Sequence, residues 1–135
     1  DLLKDDFEEH MIVNKIVANM ETPYPGVVYA IASQQEIFDD ATLAKAANAC
    51  LNIKAVNAAF VFGKTSSRNI KMSLRSDSTI NVQILAEKMG GGGHFSKSAV
   101  VFDTTDFSQV RDILLNCLSK NLSLARSDAH VEEEK

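Results

Sequence analysis

Hydrophobic and polar positions change period several times along the chain, and each change marks an element. Residues 1–21 carry Val13, Ile16, Val17 and Met20 at helical spacing, which predicts a helix with an acidic, sparsely apolar first half. Thr22-Pro23-Tyr24-Pro25-Gly26 ends it, since proline lacks a backbone donor and glycine permits a tight turn. Val27–Ala32 is short, apolar and rich in β-branched residues, so it reads as a buried strand. Asp39 and Asp40 offer side-chain oxygens to the first N–H groups of a second helix, whose stripe is Leu43, Ala46, Ala47, Cys50 and Leu51. Val56–Phe62 reads as a strand and Gly63–Ser67 as a loop. Ile70, Met72 and Leu74 then alternate with Lys71, Ser73 and Arg75, giving a strand with one apolar and one polar face. These two strands are expected to pair as a hairpin. Asp77 and Ser78 supply a turn and cap. Ile80–Met89 is a short helix stopped by Gly90, and Ser98–Phe102 is a strand. Thr104, Thr105 and Asp106 can cap a last helix with Phe107, Val110, Leu114, Cys117 and Leu118 inward.

The order α-β-α-β-β-α-β-α predicts a single α/β domain: a small mixed β-sheet of about four to five strands flanked by helices. Residues 1–21 read as an N-terminal connector helix, 22–124 as the domain, and 125–135 as a polar, disordered tail. At 135 residues, 45% hydrophobic and with two prolines, the chain excludes disordered and collagen-like classes. No apolar run approaches the ~20 residues of a membrane span. The start Asp1-Leu2-Leu3-Lys4 has neither an initiator methionine nor a signal-peptide pattern, so the chain is expected to be a segment of a longer protein. Cys50 and Cys117 are too few for a disulfide scaffold. At apolar helix positions they read as buried free thiols of a reducing, cytoplasmic compartment.

The net charge of −4 conceals an asymmetry. Lys54–Val100 holds seven basic residues (Lys54, Lys64, Arg68, Lys71, Arg75, Lys88, Lys97) against two acids, Asp77 and Glu87. Such a cationic middle suits an anionic ligand, and it equally suits bases scattered over several solvated faces.

The chemistry concentrates at Gly90-Gly91-Gly92-Gly93-His94. Four glycines permit positive φ and close approach of a ligand to the main chain, and successive N–H groups can converge on an anion. His94 adds a donor or proton-transfer group. Glycines alone fit a linker as well as a binding loop. Two features favour the loop: no Ser, Thr or charged padding, and a position between helix and strand inside a domain. Arg75 ends the alternating strand on its polar face, where a guanidinium suits bidentate phosphate recognition, although a lone strand-end arginine more often sits in a surface ion pair. Asn81 falls in the first turn of the next helix, the usual place of a helix-start hydrogen bonder. Gly63-Lys64-Thr65 is no P-loop, because position 58 is Ala58 and strands flank the segment. The acidic pairs and the separated His10, His94 and His130 lack metal-ligand spacing.

Ser73-Leu74-Arg75-Ser76, Ile80-Asn81-Val82-Gln83, Ala86-Glu87-Lys88-Met89 and Gly90–His94 together resemble the C-terminal substrate-binding, DHH-associated domain of the DHH phosphoesterases. The wording is most similar to bacterial cyclic di-AMP phosphodiesterases, some of them membrane-anchored, and the resemblance spans roughly residues 10–122. It implies a division of labour. A preceding DHH catalytic domain would carry two manganese ions that activate water against a phosphodiester. This chain would bind cyclic dinucleotide or a short oligonucleotide through Arg75, Ser76, Asn81, Gly90, Gly91, Gly92, Gly93 and His94, hold no metal, and be inactive alone. His94 would at most assist catalysis, and a homodimer is a further expectation. Related roles are the same domain of an oligoribonuclease or nucleotide 3′-phosphatase, or an RNA-binding module like the C-terminal domain of alanyl-tRNA synthetases. The family usually has small residues after the histidine; here the stretch is Phe95-Ser96-Lys97-Ser98-Ala99.

Overall fold

A computed structural model describes the backbone from Leu2 to Glu133, and residues 1, 134 and 135 lie outside the described residues. Its elements are α1 (Leu2–Val17), β1 (Glu21–Tyr24), β2 (Val27–Ile31), α2 (Asp40–Leu51), β3 (Ala58–Lys64), β4 (Ile70–Ser76), α3 (Val82–Lys88), β5 (Gly92–Gly93), β6 (Lys97–Phe102) and α4 (Phe107–Glu133). The strands form one sheet in the order β1-β2-β3-β4-β6-β5. Only β2 and β3 run parallel, and α2 supplies the crossover that a parallel pair requires. The neighbours β3 and β4 form the expected hairpin, in register from Ala58↔Ser76 to Lys64↔Ile70. Its tip is closed by Thr65 N–H to the Asn69 carbonyl at 3.2 Å and by Ser66 Oγ to Asn69 Oδ1 at 3.0 Å, with Ser67 and Arg68 exposed.

The period-2 alternation sorts the strands onto two cores. One face (Tyr29, Phe60, Met72, Leu74, Val100) packs under α3 and α4 through Leu85, Val110, Leu114 and Leu118. The other (Val28, Ala30, Ala59, Val61) is covered by Val13 and Ile16 of α1 and Leu43, Ala46, Ala47 and Cys50 of α2. Asp39 caps α2 as its type predicts, accepting from the Thr42 N–H at 2.9 Å and from the Thr42 hydroxyl. Those two bonds, the hydroxyl first, hold the Asp39 carboxyl below its ordinary pKa. Both cysteines are buried and free, and burial pushes the Cys50 thiol up to about 11. Among the described residues, no helix is long and apolar enough to cross a membrane.

Three expectations need correction. The sheet has six strands, not four to five. The first helix stops at Val17, and Thr22-Pro23-Tyr24 lies in the edge strand β1. An edge tolerates Pro23, since the missing N–H has no ladder partner to lose. Pro25 and Gly26 make the β1–β2 turn. Gly26 has φ +76°, and a Cβ there would lie 2.2 Å from Asn57 Oδ1. The polar tail does not begin as coil at 125: α4 continues through Glu133. Ala125 is fully buried and its carbonyl accepts from the Asn81 N–H at 3.2 Å, so tertiary contact carries the helix past the expected end.

Candidate nucleotide-binding edge

The glycine run sits where α3 hands the chain to the sheet edge, and its four residues have separate roles. Gly90 takes φ +94° after the helix. Its N–H donates to the Glu87 carbonyl at 3.1 Å, and the Gly91 N–H donates to the Ala86 carbonyl at 2.8 Å. This is a Schellman C-cap, so these two donors are committed to the helix and do not form an anion nest as the sequence suggested. Gly91 also lies flat against β6: a Cβ there would be 2.1 Å from the Ala99 carbonyl oxygen. Gly93 has φ +146° and equally close contacts with Lys97 and Ser98. Gly92 differs from all three. Its φ is ordinary and a Cβ there would meet no heavy atom within 4 Å. It pairs with Ala99 in the ladder, facing open space on the sheet surface.

That open surface follows from the topology. α1 and α2 cover β2, β3 and most of β4 on this face, burying Ser73, and leave open the Arg75 end of β4 together with β6 and β5. There Arg75, Lys97, Ala99, Gly92, Gly93 and Ser98 line a shallow groove of about 230 Å³. Arg75 and Lys97 are directly opposite in the β4–β6 register. The Arg75 guanidinium donates from Nη1 to its neighbour's carbonyl, Leu74 O, at 2.9 Å. Its Nε is buried without a hydrogen-bond partner among the described residues. Burial pushes the guanidinium below its ordinary pKa, because desolvation disfavours the charge. An unsatisfied buried donor costs about 1–3 kcal/mol, and an anion in the groove would satisfy it.

The other predicted site residues brace this edge. Ser76 is buried; its hydroxyl donates to the Ile80 carbonyl at 2.6 Å and approaches the Phe95 carbonyl at 3.4 Å. Asn81 is buried as the N-cap of α3, its Oδ1 accepting from the Gln83 N–H at 3.0 Å. The Val82 N–H donates to the Phe95 carbonyl at 2.9 Å and the Ser76 N–H to the Ser96 carbonyl at 3.0 Å. These bonds pin the 94–97 turn to the start of α3. His94 is exposed; its main chain holds the turn through its N–H to the Lys97 carbonyl at 2.7 Å, while Ser98 Oγ donates to its carbonyl at 2.8 Å. The structure thus brings Arg75, Gly92 and Gly93 together in the groove, sets His94 beside them, and places Ser76, Asn81, Gly90 and Gly91 beneath. The bases of the cationic middle do not all converge: Lys71 pairs with Asp40 at 2.7 Å, and Lys64 and Arg68 lie at the opposite end of the β3–β4 hairpin. Among the described residues no group of three or more His, Cys, Asp or Glu side chains is placed to hold a metal ion.

Two contributors stand outside the quoted motif. Lys97 belongs to β6, and only the strand register, which sequence alone does not give, sets it against Arg75. Asp77 braces the corner: its carboxylate accepts from Asn57 Nδ2 at 2.8 Å, the Thr79 N–H at 2.8 Å and the Thr79 hydroxyl at 2.6 Å. Burial pushes this carboxyl upward, but the bonds from Asn57 and Thr79 outweigh it and the net shift is downward. A carboxyl lowered in the folded state contributes stability that is full above its unfolded value of about 3.9 and is lost as pH falls through the folded value. Asp77→Asn is therefore expected to be about 1 kcal/mol less stable than the parent at pH 7, with the gap closing as pH falls below about 4. Urea titrations at stepped pH measure it; a gap that does not depend on pH would show that the charge is immaterial.

Residues 25–120 match the model of the DHHA1 domain. The chain belongs to the DHHA1 domain family. This DHHA1 domain is 36% identical over 117 residues, 86% of the chain, to a membrane protein–large ribosomal subunit bL9 fusion protein of Aster yellows witches'-broom phytoplasma, of which it covers 14%. It is 30% identical over 116 residues to the cyclic-di-AMP phosphodiesterase PdeA of Listeria monocytogenes, covering 86% of the chain and 18% of that protein. It thus spans less than a fifth of the length of these curated relatives. An exopolyphosphatase-related protein from Bacteroides fragilis superposes with a TM-score of 0.73 at 22% identity, over 87% of this chain and 36% of that one, and shares the fold.

Proposed function

We propose that this DHHA1 domain is the substrate-binding half of a phosphodiesterase that hydrolyses cyclic di-AMP to the linear dinucleotide. A preceding DHH domain would supply two manganese ions and the attacking water. The carrying observation is Arg75 in the groove lining, with a buried Nε lacking a partner among the described residues, beside Gly92, whose missing side chain leaves space for a ligand on the groove itself. In this reading Arg75 binds a phosphate oxygen and Gly92 and Gly93 admit the ligand to the sheet edge. His94 flanks them, while Ser76 and Asn81 hold the corner in place. The similarity to PdeA supports the substrate class. The reaction itself needs groups from the catalytic half, so the chain alone turns nothing over.

A charge-assisted contact to phosphate contributes about 1.5–3 kcal/mol. Arg75→Ala is therefore expected to weaken cyclic di-AMP binding about 10- to 150-fold, at 1.4 kcal/mol per decade. Arg75→Lys should recover only part, because it keeps the charge and loses the planar fork. Chemical-shift titrations at fixed ionic strength, with a short oligoribonucleotide and tRNA as competitors, provide the measurement. Equal affinity of Arg75→Ala and the parent removes Arg75 from the site. Preferential binding of the oligoribonucleotide or tRNA moves the reading to the oligoribonuclease or RNA-binding role.

A further inference from the structure

Arg75 and Lys97 face each other across β4 and β6 at the same register, on the bare part of the sheet. Like charges directly opposite in a sheet are destabilising. A carboxylate between them would offset the repulsion. Neither Arg75 nor Lys97 is in an ion pair among the described residues. Lys71 occupies the same face of β4 and is matched by Asp40 at the start of α2, so this sheet neutralises its cations where α2 reaches them. Arg75 and Lys97 lie beyond that reach. Around them the face carries small residues, with Ala99 and Gly92 paired in the adjoining register, so the surface between the two head groups is open.

The spacing limits what can bridge them. Opposed residues have Cβ atoms about 4.5–5.5 Å apart, so both head groups reach one small anion more readily than two separate ones. A phosphodiester brings one negative charge to two cations and leaves one unmatched. A phosphomonoester brings about −1.5 to −2 at pH 7 and matches both. We propose that Lys97 is a specificity residue which, with Arg75, closes on a single phosphate group and makes this groove favour a terminal phosphomonoester over a phosphodiester. The inference rests on the reading of the groove as a phosphate site and adds to it the charge state that the groove selects. A cut that turns a diester into a monoester then leaves the new terminal phosphate better matched to this pair than the bond it came from.

The test uses this chain and three probes at one ionic strength and pH 7.5: linear diadenylate with a 5′-phosphate, the same dinucleotide without it, and cyclic di-AMP. The parent is expected to bind the 5′-phosphorylated form about tenfold more tightly than the unphosphorylated one. Lys97→Ala should remove most of that ratio, weakening the 5′-phosphorylated form more than the unphosphorylated one. Lys88→Ala deletes the same charge at the end of α3, away from the groove, and should leave the ratio intact. A ratio near one in the parent overturns the assignment, as does a ratio that survives Lys97→Ala or falls equally in both variants; in each case cyclic di-AMP still binds and the phosphate reading of the groove stands. If none of the three probes binds the parent, that reading itself fails and the role of Lys97 fails with it.

Discussion

Gly91→Val is expected to destabilise the domain by about 1–3 kcal/mol and to strip β5 from the sheet. The Cβ it introduces would lie 2.1 Å from the Ala99 carbonyl oxygen, 2.7 Å from Val100 Cγ2 and 2.9 Å from Val100 Cα. Two of these atoms are backbone and cannot swing aside, so the strands must part. Gly92→Ala, one residue on, meets nothing within 4 Å and should unfold within about 0.5 kcal/mol of the parent. Its added methyl projects into the groove, so its cost falls on ligand affinity instead. Urea midpoints and a nucleotide titration on both variants separate the two roles. A Gly91→Val midpoint equal to the parent's would mean that the β5–β6 contact yields freely.

Leu85→Ala should cost about 2–5 kcal/mol. Leu85 is fully buried on α3 against α4, and the Cys117 thiol donates to its carbonyl at 3.6 Å. It anchors the short helix from which the glycine edge departs. Amide exchange should therefore show Gly91, whose N–H is held by the Ala86 carbonyl, losing protection along with α3. Retention of Gly91 protection in a destabilised Leu85→Ala variant would show that β6, and not α3, holds the loop.

Local signals were enough where a residue's role is local. The alternation Ile70 to Arg75, the Asp39 cap and the stop at Gly90 each depend on neighbours within a few positions, and each appears where the pattern puts it. The misses have tertiary causes. Two prolines in five residues read as a breaker, yet an edge strand needs hydrogen bonds on one side only, so β1 forms there. Gly92 and Gly93 have no strand propensity and become a strand because β6 offers them a partner. Composition makes the four glycines equivalent; only the position of β6 separates Gly91 and Gly93, which are hemmed in, from Gly92, which is not. Arg75 was legible from its face and strand-end position. Its unpartnered Nε and its register with Lys97 depend on strands distant in sequence.

The β3–β4 hairpin has a practical consequence. Its tip lies beyond Ile70, which is itself five residues up β4 from Arg75, roughly 17 Å at about 3.4 Å per residue. Ser67 and Arg68 there are exposed, whereas both native thiols are buried. Since the thiolate is the reactive form, Cys50, pushed up to about 11, reacts slowly with alkylating reagents. A cysteine placed at Ser67 would then be the fast-reacting thiol of the chain. A dye or surface tether attached there reports on the molecule from the end of the strand opposite the groove, and leaves nucleotide access open.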